Sequence, residues 1–121
     1  MSERALIEFM AAADQLPGPL EPDEEKKLIA FRISLLDEEY AELIEALGWG
    51  DKRYIAKELA DLAYVVIGTA VALEIPFDDV FDVVHLANMS KFQDREVRDD
   101  GKVLKGPGYK DPAPEIEKLL R

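Results

Sequence analysis

The sequence of 121 residues contains no cysteine and a single histidine, His85. Without cysteine, the chain has neither a disulfide framework nor a thiolate metal site. One histidine is also too few for a zinc site that depends on several imidazole ligands. A metal ion in this protein would therefore have to be held mainly by oxygen ligands.

The chain also lacks long apolar runs and has few basic residues. No stretch reaches the length of about 18 apolar residues that a membrane-spanning helix needs, and the N-terminus has no basic flank with a signal-type apolar segment. We therefore expect a soluble cytoplasmic protein with no membrane partner. The net charge is −11, and residues 1–90 carry 7 Lys or Arg against 19 Asp or Glu. Because a nucleic-acid-binding protein needs a basic face, we expect no nucleic acid partner.

The remaining charge is placed unevenly. Residues 91–110 carry 6 Lys or Arg against 4 Asp or Glu, so this segment is basic. An acidic body suits a protein that holds divalent cations. A basic segment that follows it can meet phosphate groups.

Length and composition predict one all-α domain over residues 1–121, with 95–121 as a basic loop and C-terminal tail. The chain is 48% hydrophobic, which is enough for a core. A chain of this size nevertheless buries only about two-thirds of its surface. Long helices would leave apolar stripes uncovered, so we expect a homodimer or a homotetramer that completes the helical bundle.

Apolar residues recur at three- and four-residue steps along most of the chain, which is the period of amphipathic helices. We predict helices over residues 4–14, 23–47, 52–74 and 77–92. We also predict a loop over 94–114 and a short final helix through Leu119. Gly48-Trp49-Gly50-Asp51 predicts a turn, with Asp51 as the N-cap of the third helix. The second and third helices then form an antiparallel hairpin.

Two acidic patterns stand on this predicted hairpin, Glu38-Glu39-x-x-Glu42 and Glu58-x-x-Asp61, with fifteen residues between them. Residues three or four apart share one face of a helix. Glu58 and Asp61 fall inside the predicted apolar face of the third helix, where a carboxylate needs a proton, a cation or several donors. The hairpin can bring both patterns together as an oxygen-ligand site, which favours Mg²⁺ or Mn²⁺. For Glu38, Glu42 and Glu45, a solvated acidic face explains the pattern equally well.

Several motifs resemble one known family. The acidic patterns, the segment Glu58-Leu-Ala-Asp-Leu-Ala-Tyr-Val-Val-Ile-Gly68 and the segment Asn88-Met-Ser-Lys91 are similar to those of the MazG-like, all-α nucleoside triphosphate pyrophosphohydrolases. The branch they resemble is the phosphoribosyl-ATP pyrophosphohydrolase-like one. Asp100-Gly101-Lys102-Val103-Leu104-Lys105-Gly106-Pro107, with Tyr109 after it, adds to the likeness. The resemblance extends over roughly residues 5–115.

This resemblance implies an enzyme that converts a nucleoside triphosphate and water to a monophosphate and pyrophosphate. Non-canonical nucleotides or dUTP are the substrates it suggests. It implies Mg²⁺ as cofactor, with Mn²⁺ as a substitute, held by Glu38, Glu39, Glu42, Glu58 and Asp61. We assign Glu39 as the catalytic base because it lies nearest the apolar margin, although any of the three glutamates of the first pattern could serve.

The resemblance also implies substrate-binding residues, namely Asn88, Lys91, Lys105 and Tyr109. Asn88 and Lys91 lie one helical turn apart and can face the same phosphate or sugar. The alternative is that Asn88 caps a helix, that Lys91 is a surface lysine and that Lys105 lies in a flexible polar tail.

Two other functions remain open from the sequence. One is the phosphoribosyl-ATP pyrophosphohydrolase of histidine biosynthesis, which shares the two acidic motifs. The other is a non-enzymatic acidic helical module that associates with itself. The sequence identifies neither the base, nor the sugar, nor the phosphorus atom that is attacked.

Overall fold

A computed structural model describes residues 2–92 and 96–120, and its secondary structure is almost entirely helical. The elements are α1 (Ser2–Ala12), α2 (Pro22–Trp49), α3 (Lys52–Ala72), α4 (Phe77–Ser90), β1 (Glu96–Val97), β2 (Val103–Leu104) and α5 (Ala113–Leu119). The predicted all-α class is confirmed. The chain divides into two compact units, Met1–Ile75 and Pro76–Arg121. No single helix in the described ranges is long and apolar enough to cross a membrane.

The α2–α3 hairpin is fixed by its caps. Gly50 takes a left-handed conformation (φ 78°), and its backbone N–H donates to the carbonyl of Ala46, which ends α2. Asp51 then caps α3, because its carboxylate accepts a hydrogen bond of 2.9 Å from the backbone N–H of Arg53. The connection is so short that two helices packed against each other must run antiparallel. The predicted hairpin and its predicted cap are both confirmed.

Three helices, α1, α3 and α4, each end two residues earlier than predicted. Left-handed residues explain the ends of α1 and α3. Asp14 has a φ of 58° and Glu74 a φ of 56°. The next residue in each case closes the helix: Gln15 N–H donates to the Met10 carbonyl, and Ile75 N–H donates to the Ala70 carbonyl. These are Schellman-type ends. Neither position holds glycine, so these ends could not be predicted from the usual glycine signal.

The core of the first unit lies where α1 and α2 pack on the C-terminal half of α3. Small residues of α3 permit the close approach of the other helices. The buried residues of this core include Leu6, Met10, Leu43, Ala46, Ile67, Gly68, Ala70, Val71 and Ala72. Leu59 and Val66 of α3 are apolar but 52% and 38% exposed, because α1 and α2 cover a different side of this helix.

In the second unit, α4 packs against α5, and a hairpin of two-residue strands lies between them in the chain. β1 and β2 pair antiparallel, with Glu96 opposite Leu104 and Val97 opposite Val103. Gly101 makes the turn with a φ of 91°. The segment predicted as loop and tail is therefore partly ordered by a hairpin. Residues 95 and 121, which bound that segment, lie outside the described residues.

Candidate active site

The α2–α3 hairpin brings three carboxylates together. Glu39 comes from α2, and Glu58 and Asp61 lie one turn apart on α3. One carboxylate oxygen of each lies within 4.8 Å of the others. All three residues are half-buried. We call this group the acidic triad.

Two oxygens of the acidic triad have no hydrogen-bond partner. Glu39 Oε2 and Glu58 Oε2 are both buried and unpaired, and the Glu58 side chain is only 13% exposed. Among the described side chains, Arg32 Nε is the one other buried polar atom in this condition. A buried carboxylate oxygen without a donor or cation is costly. The triad therefore has the electrostatic character of a site that needs a cation or a proton.

The pKa of Glu39 is raised above its ordinary value. Burial is the largest cause, followed by the negative charges of Glu42, Asp61 and Glu58. A hydrogen bond with the Glu42 side chain also raises this pKa. Within the triad, Glu39 is therefore well suited to accept and hold a proton, which is the property a general base requires.

Lys57 is a cation beside the acidic triad that the sequence analysis overlooked. Its Nζ lies 2.7 Å from Asp61 Oδ2 and 3.5 Å from Glu58 Oε1. The hydrogen bond to Asp61, with the charges of Asp61 and Glu58, raises the pKa of Lys57. Its side chain is 66% exposed, so the ammonium can leave the triad at little cost. The spacing of Lys57 and Asp61, four residues apart on a helix, was the available signal.

Glu38 and Glu42, the other two predicted metal ligands, are exposed on α2. Glu42 acts on the triad through its negative charge, which helps to raise the pKa of Glu39. Glu38 is not part of the close group. The structure thus brings together three of the five carboxylates that the sequence proposed.

The donor set of the triad fits a hard divalent cation. Every contributed ligand atom is a carboxylate oxygen, which Mg²⁺ and Mn²⁺ prefer over softer donors. The two unpaired oxygens supply acceptor capacity that the protein itself leaves unused. The residues present therefore fit the cation that the sequence suggested.

Three of the predicted substrate-binding residues meet in the second unit. The Lys91 ammonium lies 5.8 Å from the centre of the Tyr109 ring, and the Lys105 ammonium lies 4.9 Å from it. Both distances suit cation–π contact. Ser90 Oγ accepts a hydrogen bond of 2.9 Å from the backbone N–H of Lys110, which ties this segment to the end of α4. We call Lys91, Tyr109 and Lys105 the lysine–tyrosine cluster.

Asn88, the fourth predicted substrate-binding residue, lies on α4 one turn before Lys91. Its side chain is exposed. Its backbone carbonyl accepts a hydrogen bond of 3.2 Å from the Lys91 N–H. This position leaves its side-chain amide accessible to a ligand.

A helical hairpin that gathers carboxylates from both of its helices defines an all-α protein whose acidic triad fits a divalent cation. The family model described as phosphoribosyl-ATP pyrophosphohydrolase matches residues 8–88. The chain belongs to this family, which is part of the MazG-like all-α superfamily of nucleoside triphosphate pyrophosphohydrolases. A comparison with curated proteins found no match.

Membership of this family establishes the general activity. The protein is a nucleotide pyrophosphohydrolase, a hydrolase that acts on phosphoric anhydride bonds. The family typically depends on a divalent metal. The predicted enzyme class is confirmed, and this excludes the alternative of a non-enzymatic association module. The matched residues include the acidic triad and end at Asn88, before the lysine–tyrosine cluster.

Proposed function

We propose that the protein is a metal-dependent nucleoside triphosphate pyrophosphohydrolase that converts NTP or dNTP and water to NMP or dNMP and pyrophosphate. One observation carries the proposal: Glu39 Oε2 and Glu58 Oε2 are buried without partners beside Asp61. Three carboxylates in such a position repel one another unless a cation or proton compensates them. A nucleotide substrate delivers its phosphates together with a divalent cation, which meets that need.

The cation we propose is Mg²⁺, with Mn²⁺ as a substitute. The acidic triad would hold it, with Glu42 and Glu38 of α2 as the outer carboxylates. When bound, such an ion neutralises phosphate charge and lowers the pKa of a water molecule. Glu39 would accept a proton from the attacking water, since burial and its acidic neighbours already raise its pKa. Asp61 and Glu58 would serve as ligands of the cation.

For the second unit, we propose phosphate binding by Lys91 and Lys105. The Tyr109 ring lies against both ammonium groups and would hold them ready for phosphate oxygens. Asn88, exposed on the same helix as Lys91, would donate to a sugar or phosphate oxygen. We also propose that residues 1–121 form a single pyrophosphohydrolase domain, as the sequence predicts.

We also propose that the protein acts as a homodimer or homotetramer, and a cytoplasmic location remains a prediction. Exposed apolar side chains on the hairpin support self-association, because a single chain rarely leaves so many uncovered. They include Phe31 (48% exposed), Tyr40 (58%), Ile44 (49%), Leu47 (51%) and Leu59 (52%).

A second candidate is the phosphoribosyl-ATP pyrophosphohydrolase reaction of histidine biosynthesis. The description of the matched family supports it directly. The motifs after residue 88 favour the first candidate, since Asn88-Met-Ser-Lys91 and the Lys105 segment resemble the MazG-like enzymes. Hydrolysis of dUTP or of non-canonical nucleotides is the form of the first candidate that we consider.

The experiment is a panel of nucleoside triphosphates and phosphoribosyl-ATP, with and without Mg²⁺, assayed for pyrophosphate. We expect Mg²⁺-dependent release from at least one nucleoside triphosphate, and loss of release in Glu58→Ala. Glu45→Ala, which removes an exposed glutamate from the same hairpin, is the matched control and should retain activity. Turnover of phosphoribosyl-ATP alone would establish the second candidate. Full activity of Glu58→Ala would refute the site.

A further inference from the structure

Arg32 is a buried cation without a counter-charge. It lies on α2 with only 8% of its surface exposed, and its Nε has no hydrogen-bond partner. Its other contacts are weak: Nη2 lies 3.9 Å from Met10 Sδ, and Cζ lies 6.0 Å from the centre of the Phe31 ring. Within the described ranges, it forms no ion pair. The donors of this guanidinium are therefore largely unused in the free protein.

Such an arrangement is costly for stability. Burial lowers the pKa of Arg32, but a guanidinium remains protonated in proteins at neutral pH. An unpaired buried charge destabilises the fold, and replacing it with an apolar side chain of similar length is often neutral or stabilising. Packing therefore does not account for an arginine at this position. A ligand that accepts its hydrogen bonds does.

Arg32 opens onto a cavity of about 250 Å³. The cavity walls are mainly apolar, and Arg32 and Gln15 are the polar side chains among them. The lining residues are Met10, Gln15, Leu28, Phe31, Arg32 and Ala72. Small-molecule pockets combine apolar walls and a few placed polar groups in this way. A phosphate chain carries several negative charges, which a single cation among apolar walls cannot compensate. A planar ring with acceptor atoms is therefore the better ligand for this cavity.

Arg32 lies on the same face of α2 as Glu39 of the acidic triad. Arg32 and Glu39 are seven residues apart on α2, which is two turns and roughly 10.5 Å along the helix. On α3, Gly68 is seven residues beyond Asp61 and faces Arg32, since a Cβ atom on Gly68 would lie 3.0 Å from Nη2. A nucleotide whose phosphates lie at the triad would have to extend its base by this distance of roughly 10.5 Å along α2 to reach Arg32.

We infer that the Arg32 cavity is a nucleobase subsite, and that the Arg32 guanidinium selects bases with two adjacent acceptors on one edge. The identity of the ligand as a nucleotide rests on the proposed function. Guanidinium groups only donate, and they pair bidentately with an O6 and N7 edge. Adenine carries an amino donor beside its N7. The subsite should therefore favour 6-oxo purines over adenine.

Inosine and adenosine form a matched pair for the test, because the edges they present differ in the group at position 6. Neither carries a phosphate, so their binding to metal-free protein can be measured by NMR titration without any turnover. We expect wild-type protein to bind inosine about tenfold more tightly than adenosine, the discrimination typical of one bidentate pair. Arg32→Met should abolish this preference. Arg32→Lys, which keeps the positive charge but lacks the planar guanidinium, should also lose most of the preference for inosine.

Controls separate this inference from the proposed function. Glu58→Ala should retain the inosine preference, because it alters the acidic triad and not the cavity. Arg32→Met should melt at the wild-type temperature or above it, since it removes an unpaired charge. Gly68→Ala provides a second variant, as its added methyl group displaces the guanidinium and should weaken inosine binding.

Three results would overturn the inference. They are equal binding of inosine and adenosine by wild-type protein, an inosine preference that survives in Arg32→Met, and a large fall in the melting temperature of Arg32→Met, which would make Arg32 a structural residue. Absence of pyrophosphate release in the nucleotide panel, with the inosine preference intact, would instead count against the proposed function alone.

Discussion

Neutralising Glu58 should stabilise the metal-free protein while removing its response to Mg²⁺. The Glu58→Gln variant keeps the shape of the side chain and removes one of the three charges of the acidic triad. Glu58 Oε2 is buried and unpaired, whereas the new amide can donate to Glu39 or Asp61. The contact that is lost, between Lys57 Nζ and Glu58 Oε1 at 3.5 Å, is long and leads to an exposed lysine. Loss of such an ion pair costs little.

This geometry sets the size of the change in the metal-free melting temperature and of the lost response to Mg²⁺. An unsatisfied buried polar group costs about 1 to 3 kcal/mol, so relief of about 1 kcal/mol should raise the metal-free melting temperature by about 4 °C in a chain of this size. In wild-type protein, Mg²⁺ at a hundredfold excess over its Kd adds about 2.7 kcal/mol. That stabilisation corresponds to a rise of roughly 10 °C, which Glu58→Gln should not show.

Differential scanning calorimetry in EDTA and in Mg²⁺ measures both effects. Glu45→Gln is the matched control, since Glu45 is exposed on α2, and it should behave as wild type in both buffers. A lower metal-free melting temperature for Glu58→Gln, or a Mg²⁺ response equal to that of wild type, would refute the reasoning.

Three further predictions concern the charges around the two clusters. Lys57→Met should lower the metal-free melting temperature and tighten Mg²⁺ binding in a thermal titration, because Asp61 loses its ion pair with Lys57. An unchanged apparent Kd for Mg²⁺ would contradict this prediction. In EDTA, the free energy of unfolding of the wild type should fall as pH rises through the raised pKa of Glu39, since folding favours its protonated form. Urea titrations at several pH values should show a smaller fall for Glu39→Gln. An equally steep fall in this variant would contradict the role of Glu39. Lys91→Ala and Lys105→Ala should each raise the KM for nucleotide about tenfold in initial-rate assays, whereas the control Lys118→Ala should not. KM values equal to that of wild type in the first two variants would exclude phosphate contact.

The helices and their hairpin were predictable because their signals are local. A period of three to four residues, the turn at Gly50 and the Asp51 cap each act within a few residues of the chain. The β-hairpin was missed although it has a local signal. Asp100-Gly101 between Val97 and Val103 is a hairpin turn pattern, and Asp100 Oδ1 accepts a hydrogen bond of 3.2 Å from the Lys102 N–H. The many charges around it favoured a loop.

The candidate site was predictable only in part, because helical spacing shows which residues share a face but not how far the helix is rotated. Glu58 and Asp61 were expected near the core, and they do join Glu39. The same reasoning could not separate Glu39 from Glu38, which is exposed. The burial of Arg32 could not be predicted from the sequence either, since a lone arginine on an apolar stripe normally extends its charged end to solvent.

Pyrophosphate release from the nucleotide panel tests the central claim most directly, when wild type, Glu58→Ala and Glu45→Ala are compared with and without Mg²⁺. We predict Mg²⁺-dependent release of pyrophosphate from a nucleoside triphosphate by wild type and Glu45→Ala, and none by Glu58→Ala. Equal release by all three proteins, or release that EDTA does not reduce, would contradict it.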